Sequence, residues 1–411
     1  MDNLTSLFLS QSYQDTWDDY NRSITSETFP VWDYIILTAS DDNQAEGYYK
    51  QIEERKDFLP SRTHFAVIPD EGGVRVGSGG ATLSVLKYIY EREGRFDGIR
   101  TLVIHSGGDS KRVPTYSALG KLFSPVPHKL PNGRSSTLFD EFIIAMASVP
   151  PRIREGMLLL SGDVLLLFNP LQIDFSGKGA AAISFKEQVE TGKNHGVFLN
   201  GEKGHVRKFL HKQTVETLTK MGAVNENNCV DIDTGAIIFS PELLEQLYSL
   251  IDTQEKYKKY VNNTVRLSLY GDFLYPLAED STLERFYTEK PEGEFCAELQ
   301  EARTIVWEKL CPYRMKLLRL APAKFIHFGT TTEILSLMST GVHAYDALSW
   351  RPRINSSIQG ETAGYNSVLS SHATIGANCY LEVSFVHRQA TIGNNVLLSY
   401  IDIHDEPVPD N

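Results

Sequence analysis

Residues 101–127 read TLVIHSGGDSKRVPTYSALGKLFSPVP, in which a short apolar run leads directly into a loop of glycines and basic residues. The run itself, residues 101–104, is apolar on both faces, which is typical of a buried parallel strand. Five further runs share this character: residues 34–38 (YIILT), 64–68 (HFAVI), 157–160 (MLLL), 181–185 (AAISF) and 235–239 (GAIIF). These runs predict a sheet whose strands are buried on both faces.

Helical patterns lie between these runs. Leu83, Leu86 and Tyr90 keep the spacing of one helix face, and residues 137–149 (TLFDEFIIAMASV) repeat that pattern. Residues 240–242 (SPE) are typical of a helix start, with a serine cap followed by a proline in the first turn. The alternation of strands and helices predicts an α/β, Rossmann-like domain with a mainly parallel sheet over residues 1–350.

The sequence pattern changes after about residue 350, where the helical periodicity ends. Residues 372–378 (HATIGAN) and 389–395 (QATIGNN) form a near-repeat that places Ile375 and Ile392 seventeen residues apart. Recurring Ile-Gly steps resemble the hexapeptide repeat of a left-handed parallel β-helix, so residues 351–411 are predicted to be a β-helix segment. Because the chain ends in DIHDEPVPDN without a capping segment, we expect it to be part of a longer polypeptide.

Composition narrows the class of function. With 40 basic and 52 acidic side chains among 411 residues, the net charge is -12, which argues against a general binder of nucleic acid or anionic membranes. Four cysteines without CxxC spacing favour a reducing compartment over a disulfide scaffold or a zinc site. No leader pattern and no apolar run of about 18 residues is found, so a cytoplasmic location is expected.

The loop after residues 101–104 carries the strongest chemical signal. Gly107 and Gly108 allow backbone N–H groups to approach an anion, and Lys111, Arg112 and Lys121 supply positive charge. A nucleoside triphosphate needs both features. Arg112 suits the β- and γ-phosphates and the departing pyrophosphate, whereas Lys121 suits the α-phosphate or an attacking phosphate.

A second glycine-rich stretch, residues 76–83 (VGSGGATL), precedes a predicted helix. It could hold the nucleotide base or the α-phosphate at the helix N-terminus. The simpler interpretation is a strand–helix turn with its caps. The stretch contributes these candidate residues: Gly77, Ser78, Gly79, Gly80 and Thr82.

An acidic residue follows another buried strand. Residues 158–163 (LLLSGD) end in Asp163, at the carboxyl end of the predicted strand. A carboxylate beside a triphosphate loop is well placed to hold Mg²⁺ or Mn²⁺, because such ions bridge phosphate oxygens. Asp163 is therefore predicted to be a metal ligand.

The pattern Gly-Gly-x-Ser-x-Arg-x-Pro, followed by Ala-Leu-Gly-Lys-x-Phe, resembles the fucose-1-phosphate guanylyltransferase family. The likeness is greatest to the guanylyltransferase half of bifunctional L-fucokinase/GDP-fucose pyrophosphorylases. It implies a sugar nucleotidyltransferase that joins GTP and L-fucose 1-phosphate to give GDP-L-fucose and pyrophosphate. It also implies a fused fucokinase domain in a longer chain. Guanine and fucose rest on this resemblance alone.

The resemblance also raises the question of a second metal ligand. In several relatives that ligand is an Asp two residues before a Gly-Thr step, and residues 326–335 (IHFGTTTEIL) place His327 there. A two-carboxylate site is therefore in doubt at this position. Asp272 in residues 270–274 (YGDFL) is the substitute, and a plain turn residue is an equal alternative.

The residues that contact the sugar phosphate are also predicted from the family pattern. Residues 200–212 resemble a strand that ends in a lysine near the sugar phosphate, which favours Lys212 with Lys208 as its rival. Other candidates are Lys186, Asn194 and His195, and Asp233 in residues 231–236 (DIDTGA). Taken singly, each of these residues fits a turn or surface charge better than a contact, and only their order along the chain favours function.

Two alternatives stay open. One is a uridylyltransferase that acts on an N-acetylhexosamine 1-phosphate. The other is a non-catalytic nucleotide-sensing or assembly module, in which the β-helix segment mediates contacts between subunits. A homo-oligomer is compatible with either, and the sequence does not decide the oligomeric state.

Overall fold

The computed structural model of the protein describes residues 3–108, 110–118, 120–358 and 360–411. Its helices are α1 (Asn3–Thr25), α2 (Asp42–Glu53), α3 (Gly77–Glu93), α4 (Leu138–Ala145), α5 (Val189–Gly192), α6 (Val215–Lys220), α7 (Pro241–Tyr248), α8 (Gln254–Tyr260), α9 (Leu283–Phe286), α10 (Ala297–Leu310) and α11 (Thr331–Met338). In the part of the chain that is described, none of them combines the length and the apolarity needed to cross a membrane.

The strands fall into two groups. The first group is β1 (Tyr34–Ala39), β2 (His64–Pro69), β3 (Arg100–His105), β4 (Pro125–Lys129), β5 (Ser135–Thr137), β6 (Gly156–Ser161), β7 (Val164–Phe168), β8 (Ala180–Gln188), β9 (Gly196–Asn200), β10 (Val206–His211), β11 (Cys229–Phe239), β12 (Met315–Arg319) and β13 (Ala323–His327). The second group is β14 (Arg353–Ile354), β15 (Ala363–Tyr365), β16 (Val368–Leu369), β17 (Thr374–Ile375), β18 (Tyr380–Glu382), β19 (Phe385–Val386), β20 (Thr391–Ile392), β21 (Leu397–Ser399), β22 (Asp402–Ile403) and β23 (Pro407–Val408).

A nine-stranded sheet forms the centre of the molecule, in the order β10-β9-β11-β6-β3-β1-β2, with β8 joining β11 to β12. The strands β6, β3, β1 and β2 are parallel neighbours, as their apolar runs predicted. The α/β class is thereby confirmed. The predicted strand at residues 235–239 is the end of β11, which runs antiparallel to β6, β8 and β9. Burial on both faces does not fix strand direction, which explains this difference.

Both faces of the sheet are covered, which is why its strands lack a polar face. Ile35 and Leu37 pack in one hydrophobic cluster with α1, α2, α4 and α11. Ile36 points to the opposite cluster, beneath α3, α7, α8 and α10. The predicted start of α7 is confirmed: the Ser240 side chain accepts the backbone N–H of Leu243, and Pro241 occupies the first turn.

The second group of strands forms three small parallel sheets: β14-β15-β18-β21, β16-β19-β22 and β17-β20-β23. Ile375 pairs with Ile392, so the seventeen-residue near-repeat matches the register between successive passes of the chain. Leu381, Val386 and Ile403 are buried in a separate apolar cluster between the sheets. This segment therefore has its own small core.

Candidate active site

The carboxyl ends of β3 and β6 lie side by side, because His105 pairs with Ser161 in the parallel register. Ligands in open parallel sheets bind beyond such strand ends. A cleft of about 320 Å³ opens at this point. Its walls are formed by Arg75, His105, Ser106, Gly107, Gly108, Ser110, Lys111, Arg112, Lys121, Leu122, Ser161, Gly162 and Asp163. The cleft thus brings together the two predicted stretches that follow β3 and β6.

The loop after β3 is anchored to the end of β1. The Ser106 hydroxyl donates to the Thr38 carbonyl at 2.7 Å, and the Gly107 N–H lies 3.4 Å from the Thr38 hydroxyl. The Gly107 donor is therefore already engaged within the protein. Gly108 has a φ of +128°, a conformation that side-chain-bearing residues rarely adopt, and it lines the cleft.

Lys121 connects three distant parts of the chain. Its Nζ donates to the Gly329 carbonyl at 2.9 Å and lies 3.3 Å from Asp163 Oδ2. Arg112 reaches the same region through its backbone, since its carbonyl accepts the N–H of Thr331 at 3.0 Å. The Arg112 and Lys111 side chains are exposed at the mouth of the cleft. The cleft therefore has exposed positive charges at its mouth, and the Lys121 ammonium group is held in its wall by hydrogen bonds.

Asp163 is the acid of the cleft. The Ser161 hydroxyl donates to its Oδ1 at 2.7 Å, and His327 Nε2 lies 3.7 Å from its Oδ2. Burial alone would raise the pKa of Asp163, but the neighbouring His327 imidazole and the charge of Lys121 hold it well below its ordinary value. Asp163 is therefore a carboxylate at neutral pH, with positive groups on two sides.

His327 occupies the position where a second metal-binding acid was considered. Its Nδ1 lies 3.1 Å from Glu333 Oε1, so the ring sits between two carboxylates, those of Asp163 and Glu333. Burial would lower its pKa, but the two acids outweigh burial and raise it. A histidine held between two carboxylates therefore occupies the position where a second carboxylate ligand was considered.

The second glycine stretch, at the start of α3, has a packing role. The N–H groups of Gly79 and Gly80 both donate to the Leu267 carbonyl, and a Cβ on Gly79 would lie 2.8 Å from that oxygen. The Ser78 N–H donates to Glu292 at 3.1 Å. These donors are taken, which contradicts the α-phosphate alternative for this helix terminus, whereas the base alternative stays a prediction. The stretch brings α3 close to residues 266–269.

Thr82 is likewise not available to a phosphate, because it is fully buried and its hydroxyl donates to the Ser78 carbonyl. Gly77 and Ser78 do border a second cavity of about 270 Å³, which shares Arg75, His105, Gly107 and Gly108 with the first. Its other walls are Thr38, Ser40, Asp70, Ala81, Arg266 and Glu292. Burial raises the pKa of Asp70 to about 6.

Asp272 is not placed to bind a metal ion. The residue is fully buried, and its carboxylate accepts from Arg303 Nε at 2.8 Å and from the Ser268 N–H at 2.6 Å. Arg303 is itself only 1% exposed. The sequence interpretation of Asp272 as a second metal ligand is therefore wrong, because its carboxylate is committed to an ion pair inside the core.

The other predicted lysines lie on strand ends. Lys186 Nζ is 3.0 Å from Asp231, whose carboxylate also accepts two hydrogen bonds from Arg319. Lys186 is thus held in an ion-pair network beside β8. Lys212 follows β10 and is exposed, with its N–H donating to the His195 carbonyl at 2.9 Å. Its rival Lys208 lies within β10 and is half-buried.

His195 directly precedes β9 and Asp233 lies in β11, and neither residue lines the cleft. The His195 ring lies 5.6 Å from the His327 ring, and Asn194 precedes it on an exposed turn. Asp233 accepts the Gly235 N–H at 2.9 Å, and burial raises its pKa to about 6. The His195 ring therefore lies beside the His327 ring, and the role of His195 at the sugar stays a prediction.

Glu333, Arg75 and Asp70 are residues that the sequence interpretation missed. Glu333 could have been found from the sequence Thr330-Thr-Thr-Glu333, a helix-start signature whose acid faces back toward the preceding strand. In the structure the Thr330 hydroxyl donates to Glu333 at 2.9 Å. Neither Arg75 nor Asp70 lies in a recognisable sequence motif. Both precede α3, and only tertiary packing brings them to a cavity wall.

Comparisons with known proteins identify the family of the chain. Residues 94–410 match the family described as the fucose pyrophosphorylase domain. The chain is 26% identical to the fucose-1-phosphate guanylyltransferase of Mus musculus, over 92% of this chain and 70% of that protein. The human protein of the same name is 26% identical, over 90% of this chain and 66% of that protein.

A longer relative also matches. The bifunctional fucokinase/GDP-fucose pyrophosphorylase of Arabidopsis thaliana is 28% identical over 79% of this chain, and the match covers 33% of that protein. The chain therefore spans about two thirds of the mouse and human relatives and one third of the plant relative. Because the family match extends over most of its length, the chain belongs to the fucose pyrophosphorylase domain family, a family of nucleotidyltransferase enzymes.

Proposed function

We propose that the chain transfers a guanylyl group from GTP to L-fucose 1-phosphate, giving GDP-L-fucose and pyrophosphate. The observation that carries this proposal is the ammonium group of Lys121 beside the ionised Asp163, in a cleft whose rim holds Arg112 and Lys111. The family match and the names of the mouse and human relatives support the same reaction.

The reaction needs no covalent nucleophile from the protein. A fucose 1-phosphate oxygen attacks the α-phosphorus of GTP, the bond to the bridging oxygen breaks, and pyrophosphate leaves with its electron pair. Two anions must meet, so positive side chains have to offset their repulsion. Lys121 serves the α-phosphate or the attacking phosphate, while Arg112 and Lys111 serve the β- and γ-phosphates. Positioning and charge account for the catalysis.

Asp163 fits a site for Mg²⁺ or Mn²⁺ with a single protein carboxylate. Mg²⁺ is commonly held by one or two carboxylates, with substrate phosphates and water completing its shell. The low pKa of Asp163 keeps the carboxylate ionised, and the residue lines the cleft. When bound, such an ion would neutralise charge on the phosphate oxygens. Lys121 and His327 hold the carboxylate in place from two sides.

The second cavity is proposed to take the base. Guanine presents two adjacent N–H donors, N1–H and N2–H, which one carboxylate can accept side by side, whereas adenine and uracil lack such a pair. Asp70 and Glu292 supply carboxylates to this cavity, and the Ser78 hydroxyl and N–H already hold Glu292. Asp70, which accepts one backbone N–H, from Val76, is the acceptor that we assign to guanine.

Inosine triphosphate, which lacks the N2 amine, tests the role of Asp70. We expect the protein to prefer GTP over inosine triphosphate in kcat/KM, and Asp70→Asn to shrink that ratio about tenfold. Asp57→Asn, an exposed acid on another loop, serves as the control. An unchanged ratio in Asp70→Asn would remove Asp70 from base recognition without touching the reaction class.

The organisation of the chain is part of the proposal. Residues 1–350 are proposed as the catalytic domain and residues 351–411 as a short left-handed parallel β-helix. The three small parallel sheets and their shared apolar cluster support the second assignment. Fucose 1-phosphate is the product that a fucokinase supplies, and the plant relative is named as a fucokinase as well as a pyrophosphorylase. A kinase of that class is therefore the proposed source of the sugar phosphate.

The direct test incubates the chain with each nucleoside triphosphate and each sugar 1-phosphate, and measures pyrophosphate release. We expect turnover with GTP and L-fucose 1-phosphate. Turnover with UTP and an N-acetylhexosamine 1-phosphate instead would favour the uridylyltransferase alternative. Nucleotide binding without pyrophosphate release from any pair would favour the sensing or assembly module.

A further inference from the structure

A cluster of three side chains lies outside the proposed active site, on the sheet β16-β19-β22 of the C-terminal segment. His387 directly follows β19, and His404 directly follows β22. The strands are parallel, with Phe385 paired to Asp402 and Val386 to Ile403, so the register sets His387 opposite His404. Asp402, Phe385 and both histidines alternate with the buried Val386 and Ile403, and they therefore point away from the apolar interior.

The ligand atoms of the cluster converge. His387 Nε2 lies 2.8 Å from Asp402 Oδ1, and His404 Nε2 lies 3.7 Å from Asp402 Oδ2. The two imidazole rings stack, with centroids 4.0 Å apart and planes inclined by 19°. One nitrogen from each histidine and one carboxylate oxygen all lie within 4.8 Å of one another.

We propose that His387, Asp402 and His404 form a binding site for a divalent transition-metal ion of the zinc class. Zinc binds imidazole nitrogen and carboxylate oxygen at about 2.0–2.2 Å, which places neighbouring tetrahedral ligands roughly 3.3 Å apart. The separations of 2.8 Å from His387 to Oδ1 and 3.7 Å from His404 to Oδ2 of Asp402 lie on either side of that value. The three ligand atoms lie within 4.8 Å of one another, so rotation of the exposed side chains would bring them to this spacing, and water would complete the coordination.

The chemistry of the three ligands selects the metal. Two imidazoles with one carboxylate suit zinc, copper, nickel or iron(II), whereas Mg²⁺ and Ca²⁺ prefer oxygen ligands throughout. Among the described residues, the ion pairs of Asp402 are with these two histidines. A bound cation would therefore neutralise Asp402 without displacing a lysine or an arginine from it.

The backbone holds the ligands in place. The His387 N–H donates to the Ile403 carbonyl at 2.8 Å, which fixes one pass of the chain against the next. The Glu406 carboxylate accepts the backbone N–H groups of His404 and Asp405, both at 3.3 Å, which orders the turn that carries His404. Both histidines are thus presented from a hydrogen-bonded scaffold.

The site would join two successive passes of the C-terminal segment. In the metal-free protein, one tautomer of His387 donates Nε2–H to Asp402. When the metal binds Nε2, the imidazole proton resides on Nδ1, and the Asp402 oxygen is freed for the ion. The metal would stabilise the last passes against opening.

The test is calorimetric titration of the full 411-residue chain with ZnCl₂, without other divalent ions. We expect a saturable site whose affinity falls at least about tenfold in His387→Ala, His404→Ala and Asp402→Asn. His372→Ala is the matched control, since His372 is an exposed histidine of the same segment and lies outside the cluster. Its affinity is expected to match that of the unmodified chain.

Asp163→Asn separates this site from the proposed active site. Zinc binding that survives in Asp163→Asn and is lost in His404→Ala supports the proposal. Binding that is lost in Asp163→Asn and kept in His404→Ala overturns it, as does a chain that binds no zinc. A second measurement supports the same decision: zinc should raise the melting temperature of the unmodified chain and of His372→Ala, and leave that of His404→Ala unchanged.

Discussion

At the scale of single residues, the candidate site is organised by contacts to one carboxylate. Asp163 receives a hydroxyl from Ser161, an ammonium from Lys121 and an imidazole from His327. Each partner comes from a different part of the chain. The ionised Asp163 and the held Lys121 are therefore the side chains on which the proposed reaction depends most.

Removal of Lys121 tests this dependence. We expect Lys121→Ala to lower kcat by at least about a hundredfold, because an ammonium that screens phosphate charge contributes mostly in the transition state. Lys220→Ala, which removes an exposed lysine from α6, should leave kcat unchanged. Steady-state pyrophosphate release, with circular dichroism as a check on folding, measures both. Unaltered kcat in folded Lys121→Ala would refute the assigned role.

His327 should make stability depend on pH. Asp163 and Glu333 raise its pKa against the opposing effect of burial. A raised folded-state pKa gives stabilisation that is complete below the unfolded value of about 6.5 and is lost as pH rises through the folded pKa.

We therefore expect His327→Gln to lower the free energy of unfolding by more at about pH 6 than at about pH 9. Urea unfolding at several pH values measures the difference, with His372→Gln as an exposed control. The range is kept above about pH 5, since the lowered pKa values of Asp163 and Glu333 add their own loss at acidic pH. If the stability lost in His327→Gln increased with pH, the proposed ion pairs of His327 would be contradicted.

At the scale of elements, the glycines of α3 show that one motif can have two explanations. Their spacing resembles an anion-binding loop, yet the Gly79 and Gly80 N–H groups go to the Leu267 carbonyl. The glycines allow a helix to approach a neighbouring backbone closely. The sequence cannot distinguish these uses, because both require the same absence of side chains.

Gly79→Ala distinguishes them experimentally. A Cβ there would lie 2.8 Å from a backbone oxygen, so we expect the free energy of unfolding to fall by about 1–3 kcal/mol. The KM for GTP should change little at a temperature where the variant stays folded. Gly177→Ala is the control, because an added Cβ there meets nothing within 4 Å. A large rise in KM without loss of stability would restore the nucleotide-binding interpretation.

The buried Asp272–Arg303 pair is another contact between elements, here between the turn at residues 269–274 and α10. Asp272→Ala would leave Arg303 uncompensated inside the core, so we expect a loss of about 3–5 kcal/mol in the free energy of unfolding. Divalent-ion affinity of the folded fraction should not change. A variant of unaltered stability with weaker ion binding would instead support Asp272 as a metal ligand.

At the scale of the whole molecule, the C-terminal segment is joined to the active-site loop. The Tyr116 hydroxyl, in the turn between Arg112 and Lys121, donates to the buried Glu382 of β18. Glu382 also accepts from the Ser399 hydroxyl at 2.9 Å. Burial raises the pKa of Glu382. The position of the cationic loop therefore depends on a residue more than two hundred positions away.

Glu382→Ala should uncouple the two parts. We expect a loss of about 1–3 kcal/mol in stability, since the Tyr116 hydroxyl is left without its acceptor, together with a lower kcat as the loop loosens. Glu382→Gln retains an acceptor oxygen and should retain most of both. Urea unfolding and pyrophosphate release measure the two effects. Equal kcat in all three proteins would mean that the loop does not rely on this contact.

The sequence by itself determined the features that depend on local composition. The strands at β1, β2, β3 and β6, the capped start of α7 and the seventeen-residue repeat follow from apolar runs and turn residues, which are local properties. The stretch around Arg112 and Lys121, and Asp163 after β6, were found because glycines, cations and an acid follow buried strands. The family followed from the same residues.

Only the tertiary structure decided which groups face one another. The antiparallel direction of β11, the burial of Asp272 against Arg303 and the use of Gly79 in packing all depend on distant segments. Lys121, Asp163 and His327 meet because β3, β6 and β7 bring their loops together and β13 pairs with β7. Composition and spacing along the chain do not give the distances between side chains that are far apart in sequence. The partner of each charged group is therefore decided only when the core packs.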